Sequence, residues 1–220
     1  MPQSLSLPME KIAGAESWLL SKGHVEAALT REGGHLAPVK FKLGSRCVSP
    51  FSVAPWAAAG EKLDPSTPPI LKILRGDFFC APFGGNEKPH NGEQHPLHGE
   101  SANAKWKIVS VEQSNRELLA EFSLNTTVRP GTIRKQIRLV GAHTCVYQRH
   151  TLTGFTGQLP LGHHATLKFP DEPMSGFLSC APFVHGQVFP GAFENPVLGG
   201  YQSLKPGATF KILHDVLMID

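Results

Sequence analysis

The sequence lacks the features that mark several classes of protein. It has no run of Lys or Arg, and its net charge is only +3, which gives no reason to expect nucleic-acid or membrane-surface binding. No apolar run approaches the ~20 residues that a membrane helix needs. The N-terminus also lacks the basic start and long apolar core of a secretory signal. We therefore expect a soluble, cytoplasmic protein without nucleic-acid or membrane partners.

Cysteine and charge are also sparse. None of the four cysteines stands in a C-x-x-C pair, so small buried thiols in a reducing compartment are the expectation. Charged residues make up only 18% of the chain and hydrophobic residues 40%, a globular composition that argues against disorder.

Glycine and proline, in contrast, are abundant, and the chain reads mainly as strands. The 22 Gly and 19 Pro imply many turns, which favours β over α structure. Apolar and polar residues alternate most clearly in Gly131–Val140, where Ile133 and Ile137 share one face and Arg134 and Arg138 the other. Further strands are predicted at Glu16–Ser21, His24–Thr30, His35–Leu43, Trp106–Val111, Leu118–Leu124, Thr144–Thr153, Ala165–Phe169, Gly176–Cys180, Gly186–Phe189 and Ala208–Leu213.

Short connections predict how these strands pair. Lys22-Gly23 predicts a hairpin between the first two strands, and residues 141–143 predict another after Gly131–Val140. The fold class expected is therefore all-β, a large antiparallel sandwich or barrel. No composition shift divides the chain, so we predict a single domain over residues 1–220.

Arginine and histidine are concentrated around two glycine-rich turns. The first segment is ILRGDFFCAPFGG followed by HPLHGESANAKW, which contains Arg75, His95 and His98. The second is Leu161-Gly162-His163-His164, where the two histidines should straddle the faces of a strand. Histidine suits proton transfer because its unperturbed pKa of about 6.5 lies near working pH. The segments therefore predict a site that binds and polarises a small polar ligand.

Two kinds of chemistry fit these histidines. In one, His95-x-x-His98-x-Glu100 and a later histidine hold a metal, as in cupin-like β-barrel enzymes. Pro96 interrupts this spacing, and cupins place two histidines one residue apart, so we expect no metal. In the other, the histidines and Arg75 bind a carbohydrate and move protons on it.

The ordered set of motifs from Gly33 to Phe169 resembles the aldose 1-epimerase, or galactose mutarotase-like, superfamily. The arginine-glycine strand, the Pro-Phe-Gly turn, the His-Gly turn and the tryptophan are closest to its hexose-phosphate mutarotase branch. LPLGHHATLKF is similar to the family's Gly-x-His-Pro-Tyr-Phe segment. The resemblance implies an antiparallel β-supersandwich with a sugar in its concave face, and no cofactor.

The resemblance also implies residue roles. His164 aligns with the general acid that protonates the ring oxygen, and His98 would contact the sugar near that oxygen as a second catalytic residue. Arg75 would hydrogen-bond sugar hydroxyls. The remaining candidates for substrate contact are His95 and Trp106. The family's carboxylate base has no clear counterpart here, and Glu194 is a weak candidate for it.

Three departures from the family pattern qualify the expected function. Ala102 stands where the hexose-phosphate branch has a phosphate-binding arginine, so an unphosphorylated sugar is expected. Ala165-Thr166-Leu167 replaces the Pro-Tyr-Phe that would wall the sugar. The family's last strands have no counterpart, so we expect a supersandwich truncated at its C-terminus, or a homo-oligomer that completes an open sheet edge.

The function expected is thus that of an aldose 1-epimerase-like isomerase acting on an unphosphorylated sugar, with no cofactor and a small carbohydrate as its partner. A non-catalytic carbohydrate-binding module is the first alternative, favoured by the missing carboxylate. A metal-dependent, cupin-like β-sandwich enzyme is the second.

Overall fold

The computed structural model of the chain describes residues 6–86, 88–191 and 202–218. It divides into two compact units, Met1–Pro170 and Asp171–Asp220. Both are built from antiparallel strands with few helices, which confirms the predicted all-β class. The division does not decide the predicted single domain over residues 1–220.

The first unit contains a seven-stranded antiparallel sheet. In chain order its strands are β1 (Met9–Ile12), β2 (Ala15–Lys22), β3 (Val25–Thr30), β4 (Leu36–Leu43), β5 (Arg46–Val48), β6 (Asp77–Cys80) and β11 (Gly162–Ala165). Their spatial order is β1-β2-β3-β4-β6-β11, and β5 pairs with β4. β2 and β3 form the hairpin predicted across Lys22-Gly23.

The second sheet of this unit has four antiparallel strands, β7 (Lys107–Gln113), β8 (Glu117–Thr126), β9 (Gly131–Val140) and β10 (Tyr147–Thr153). Their spatial order is β10-β9-β8-β7. The strands predicted at Trp106–Val111 and Leu118–Leu124 pair as β7 and β8, and the predicted hairpin that follows Gly131–Val140 is confirmed. The alternation in β9 is confirmed too, because Ile133 and Ile137 are fully buried.

The hydrophobic core lies between the two sheets. The ring of Trp18 on β2 meets that of Phe122 on β8 at a centroid distance of 4.8 Å. Leu20, Leu29 and Val39 from the first sheet join the same cluster as Ile133, Ile137 and Leu139 from the second. Burial of these apolar side chains is the main favourable contribution to folding of the unit.

A smaller cluster covers the outer face of the first sheet. Phe78 and Cys80 on β6 pack there with Ile70 from a short helix, α2 (Pro69–Lys72), and with Ala102 from a 3-10 turn at Glu100–Ala102. Because side chains alternate along a strand, Phe79 points to the opposite face and joins the main core. Strand β6 therefore has aromatic residues on both faces of its sheet.

Some local predictions were wrong. β11 begins at Gly162 and ends at Ala165, so the strand predicted at Ala165–Phe169 lies earlier. The predicted strand Gly176–Cys180 did not form, because these described residues belong to no strand. A short helix, α1, spans Pro55–Ala59. Only Cys80 is a buried thiol, whereas Cys47 and Cys180 are exposed.

The second unit is described through residues 171–191 and 202–218. A short antiparallel pair joins β12 (Gly186–Gln187) to β13 (Thr209–Phe210), inside the strands predicted there. Within the described part of the chain, no helix is long and apolar enough to cross a membrane.

Candidate active site

The structure brings together His98 and His164, two predicted site residues that are far apart in the sequence. Their imidazole centroids lie 4.9 Å apart, with the rings nearly edge to face. His164 is held by β11, which pairs with β6, and His98 lies in the His-Gly turn. Both side chains are half-buried, so they combine a fixed position with access from solvent.

Two phenylalanines form an apolar surround for this histidine pair. The His164 ring stacks on Phe78 at 4.7 Å with an interplanar angle of 9°. Phe83 meets His98 edge to face at 5.1 Å and is 42% exposed. Phe78 is fully buried, so Phe83 alone supplies exposed apolar surface next to the polar ring nitrogens. Such a surface is suited to a ligand with one apolar and one polar face.

The backbone of the His-Gly turn directs the side chain of His98 toward His164. His98 has φ +61 and Gly99 has φ +75, both in the left-handed region. A Cβ at position 99 would lie 2.2 Å from the carbonyl oxygen of Ala81, so only glycine fits there. The backbone N–H of Gly84 donates to His98 Nδ1 at 3.3 Å, which leaves Nε2 for other partners. Such strain in a well-determined turn is typical of functional sites.

The electrostatics of the pair favour a neutral His98. Burial, and to a smaller extent the neighbouring His164, lowers the pKa of His98 from its ordinary value. A neutral imidazole is a proton acceptor, and a second imidazole beside it can serve as the donor. The two rings can therefore carry opposite roles in one proton-transfer reaction.

His95 lies in a neighbouring pocket rather than in the pair. Its Nε2 is 2.9 Å from Glu93 Oε2, and Arg129 donates to the same carboxylate from Nη2 at 2.6 Å. A pocket of about 290 Å³ is lined by these three residues together with Phe83, Leu159 and Pro160. Sequence reasoning missed Glu93 and Arg129 because they are 36 residues apart and belong to no motif.

Arg75 is fully buried, and its guanidinium binds backbone. It donates from Nε to the carbonyl of Ile73 at 2.9 Å, from Nη1 to that of Ile12 at 2.7 Å and from Nη2 to that of Ala13 at 2.8 Å. Because these bonds use every nitrogen of the guanidinium, Arg75 ties the turn after β1 to the sheet. Its predicted contact with sugar hydroxyls stays a prediction that this geometry does not support.

The contacts of Arg75 predict a stability effect. Arg75→Gln should lower the free energy of unfolding by about 3 kcal/mol, because three partly buried carbonyls lose a charged donor. Urea denaturation would measure this, with Arg134→Gln as the control, since Arg134 is exposed and its ion pair with Glu121 should contribute less than about 1 kcal/mol. If Arg75→Gln has unchanged stability but no longer binds sugar, Arg75 is a sugar-binding residue and not a structural one.

Trp106 is a core residue in this structure. It is 1% exposed, its Nε1 donates to the carbonyl of Ser101 at 3.0 Å, and the ammonium of Lys135 lies 5.2 Å from its ring. A tryptophan so enclosed offers no face to a ligand at the surface. Its predicted role in sugar binding therefore has no support from the described contacts and stays a prediction.

His163 lies on the opposite face of β11 from His164, as the alternation predicted. Its Nδ1 is 2.8 Å from Asp77 Oδ2, which also accepts from Gln148 Nε2 at 2.6 Å. Burial raises the pKa of Asp77, but the hydrogen bonds with His163 and Gln148 outweigh burial and lower it. His150 stacks on Phe79 next to this group, with ring centroids 4.0 Å apart. Asp77, Gln148 and His150 were not predicted as neighbours of His163.

The described residues do not support the metal alternative. Glu100 accepts hydrogen bonds from the backbone of Thr127 and Val128, while His95 pairs with Glu93 and His98 with the backbone of Gly84. The three members of His95-x-x-His98-x-Glu100 thus have separate partners. Over residues 6–86, 88–191 and 202–218, no group of three His, Cys, Asp or Glu side chains could hold a metal ion.

The histidine pair has no carboxylate partner among the described residues. Within those ranges, no Asp or Glu forms a hydrogen bond or ion pair with His98 or His164, while His163 and His95 each have one. Glu194, the weak candidate for the base, lies outside the described residues and stays a prediction.

Comparison with known proteins finds likeness in structure but not in sequence. No family model matches the chain, and no curated protein matches it significantly. One similar solved structure is YeaD from Salmonella typhimurium, provisionally assigned as a mutarotase, at 15% identity and a TM-score of 0.45 over 61% of this chain and 43% of that one. Another is HI1317, at 15% identity and a TM-score of 0.44 over 64% of this chain and 46% of that one.

The chain therefore spans less than half the length of either neighbour.

Proposed function

We propose that this protein binds an unphosphorylated sugar and interconverts its anomers by general acid/base catalysis at His98 and His164. The observation that carries the proposal is the 4.9 Å approach of these two imidazoles beside an exposed phenylalanine. Mutarotation needs one proton donor and one proton acceptor around a single C–O bond, and no cofactor. A pair of imidazoles, one acting as proton donor and the other as proton acceptor, meets that requirement.

The steps balance without any other reactant. His164 donates a proton to the ring oxygen while His98, kept neutral by its lowered pKa, accepts the proton of the anomeric hydroxyl. The bond between the anomeric carbon and the ring oxygen breaks, which gives an open-chain aldehyde and a hydroxyl. After rotation of the aldehyde, the hydroxyl adds to either face, and both protons return to their donors.

The surroundings of the pair support a neutral substrate. Ala102, which stands in place of the family's phosphate-binding arginine, is fully buried under Ile70 and Phe78. The described contacts of His98 and His164 are to each other, to phenylalanine rings and to backbone, and include no cation. A phosphate group would find no charged partner among these contacts.

The test is the equilibration rate of freshly dissolved sugars. Polarimetry or NMR of α-glucose, α-galactose and a wider aldose panel should show faster approach to anomeric equilibrium with the protein than without it. Unchanged rates across the panel would overturn catalysis. Boiled protein is the control for buffer catalysis, because anomers also interconvert without an enzyme.

A non-catalytic sugar-binding module is the second candidate, and one observation favours it. Among the described residues the pair has no carboxylate partner to act as base. Saturable sugar binding by calorimetry without faster mutarotation would select this candidate over the enzyme.

A further inference from the structure

The pocket around His95 adjoins the histidine pair through one shared side chain. We call it the side pocket and define it by Phe83, Glu93, His95, Arg129, Leu159 and Pro160. Phe83 lines this pocket, and its ring also lies 5.1 Å from that of His98 and 6.2 Å from that of His164. A ligand that covers the exposed face of Phe83 can therefore reach both places.

The lining of the side pocket combines apolar and polar side chains. The apolar part is formed by Phe83, Leu159 and Pro160. The polar wall presents the carboxylate of Glu93, to which Arg129 donates from Nε at 2.9 Å and from Nη2 at 2.6 Å. Apolar surface combined with a fixed carboxylate and guanidinium matches a sugar ring, which has an apolar C–H face and a rim of hydroxyls.

The charges of the polar wall compensate each other. Hydrogen bonds from Arg129, and then from His95, lower the pKa of Glu93 to about 2, so the carboxylate is ionised at neutral pH. Glu93 neutralises Arg129 in turn, which makes the pocket a poor site for a phosphate or a carboxylate ligand. The ionised carboxylate accepts hydrogen bonds from hydroxyls, and its partners fix it before any ligand arrives.

The size of the pocket limits the ligand. A volume of about 290 Å³ stands at the lower end of the ~300–1,000 Å³ typical of small-molecule sites. This is room for a single ring rather than for a large cofactor.

We propose that the side pocket binds the second sugar ring of a reducing disaccharide whose reducing ring lies at His98 and His164. The position of the reducing ring rests on the proposed function, whereas the binding of a neutral sugar ring by Glu93 and Arg129 does not. The substrate class is then a disaccharide or longer reducing oligosaccharide rather than a free hexose.

Calorimetric titration tests the side pocket without relying on turnover. The ligands are glucose, galactose, maltose, cellobiose and lactose, together with methyl maltoside, whose ring cannot open. At least one disaccharide should bind about 10-fold more tightly than its own hexose, and methyl maltoside should bind like maltose if maltose is that ligand. Polarimetry on the same sugars reports catalysis separately.

Glu93→Gln is the diagnostic variant, since it keeps the shape of the side chain and removes its charge. It should reduce disaccharide affinity about 10-fold and leave hexose affinity within twofold. Glu121→Gln is the matched control, because Glu121 also pairs with an arginine but lies on β8, and it should change neither affinity. Thermal melts confirm folding, and His95→Gln provides a second variant if Glu93→Gln is unfolded.

The outcomes separate the two proposals. Equal affinities for hexose and disaccharide overturn the side pocket even where mutarotation is accelerated. A Glu93→Gln variant that weakens hexose and disaccharide alike also overturns it, because the pocket would then hold the first ring. Tighter, Glu93-dependent binding of a disaccharide without faster mutarotation supports the side pocket and overturns catalysis.

Discussion

Replacing His164 with Gln is expected to lower kcat/KM for mutarotation by about 10²–10⁴-fold, the usual contribution of a general acid. Glutamine keeps hydrogen-bonding capacity but cannot hold and release a proton near neutral pH. The stacking contact between His164 and Phe78 would be lost as well, so sugar affinity should be measured beside the rate. Polarimetry under initial-rate conditions, corrected for the buffer rate, gives the comparison.

His98 needs a different substitution because its backbone is left-handed. At φ +61, asparagine is the polar residue that tolerates this conformation best, so His98→Asn removes the imidazole without adding strain. A loss similar to that of His164→Gln, with sugar affinity changed much less, would identify His98 as a proton-transfer group. A tenfold or larger loss of affinity with kcat retained would instead assign it to sugar binding.

The pH dependence of kcat/KM adds an independent readout. Since burial and His164 lower the pKa of His98, the base form should persist below the ordinary histidine pKa of about 6.5. The acid limb of the profile should therefore fall below that value in the wild type and disappear in His98→Asn. His24→Gln, which changes an exposed histidine in the β2–β3 turn, should leave both rate and profile unchanged. Wild-type activity in both His164→Gln and His98→Asn would exclude the pair as the catalytic centre.

Stability is expected to fall steeply as the pH drops below about 6.5, the pKa of histidine in an unfolded chain. Two histidines account for this, the fully buried His35 and the half-buried His150. Burial lowers the pKa of His35 to about 3, and burial with the nearby charge of Lys135 lowers that of His150 to about 2. Both rings are enclosed by stacking, His35 on Phe78 and His150 on Phe79.

The sign follows from proton binding. Between the unfolded and folded pKa values, the unfolded chain binds a proton at each site and the folded chain does not, so acid favours unfolding. Each group then costs about 1.4 kcal/mol per pH unit, and the two together cost about 5 kcal/mol between pH 6.5 and 4.5. This is comparable with the whole stability of a small protein, about 5–15 kcal/mol, so unfolding near pH 4.5 is expected.

Urea denaturation at a series of pH values measures the effect. His150→Leu should remove about one of the protons taken up on unfolding. The free energy of unfolding should then fall less steeply with decreasing pH, by about 1.4 kcal/mol per pH unit. His35→Leu should do the same, although it also loses the contact of His35 Nε2 with the carbonyl of Ala102 at 3.1 Å. His24→Gln is again the control and should keep the wild-type slope. A slope that neither leucine variant changes would show that other groups carry the acid sensitivity.

Local patterns predicted much of the fold. The alternation of Gly131–Val140 and the short turn at Lys22-Gly23 gave strands and hairpins that the structure confirms, since both depend on neighbours in sequence. The same alternation predicted that His163 and His164 would point to opposite faces. Local pattern was a poorer guide to residues 165–180, where the strands predicted at Ala165–Phe169 and Gly176–Cys180 did not form as predicted.

Sequence patterns did not predict which polar and aromatic side chains are buried or which residues they contact. From the sequence, Arg75 and Trp106 suit a ligand-binding site as well as they suit a buried structural role. Only the structure shows that Arg75 binds the carbonyls of Ile12 and Ala13 and that Trp106 binds the carbonyl of Ser101. The side pocket was not predicted from the sequence either, because Glu93 and Arg129 come together only when two loops pack against each other.

For this protein, the sequence by itself determined the all-β class, the main hairpins and the faces on which His163 and His164 lie, because strand periodicity and turn chemistry act over a few residues. The family resemblance placed His164 near His98, but strand periodicity did not, and only the tertiary structure decided that His163 meets Asp77, because both contacts depend on the pairing of β11 with β6. Such pairing is set by the global burial of apolar surface, which no local motif encodes.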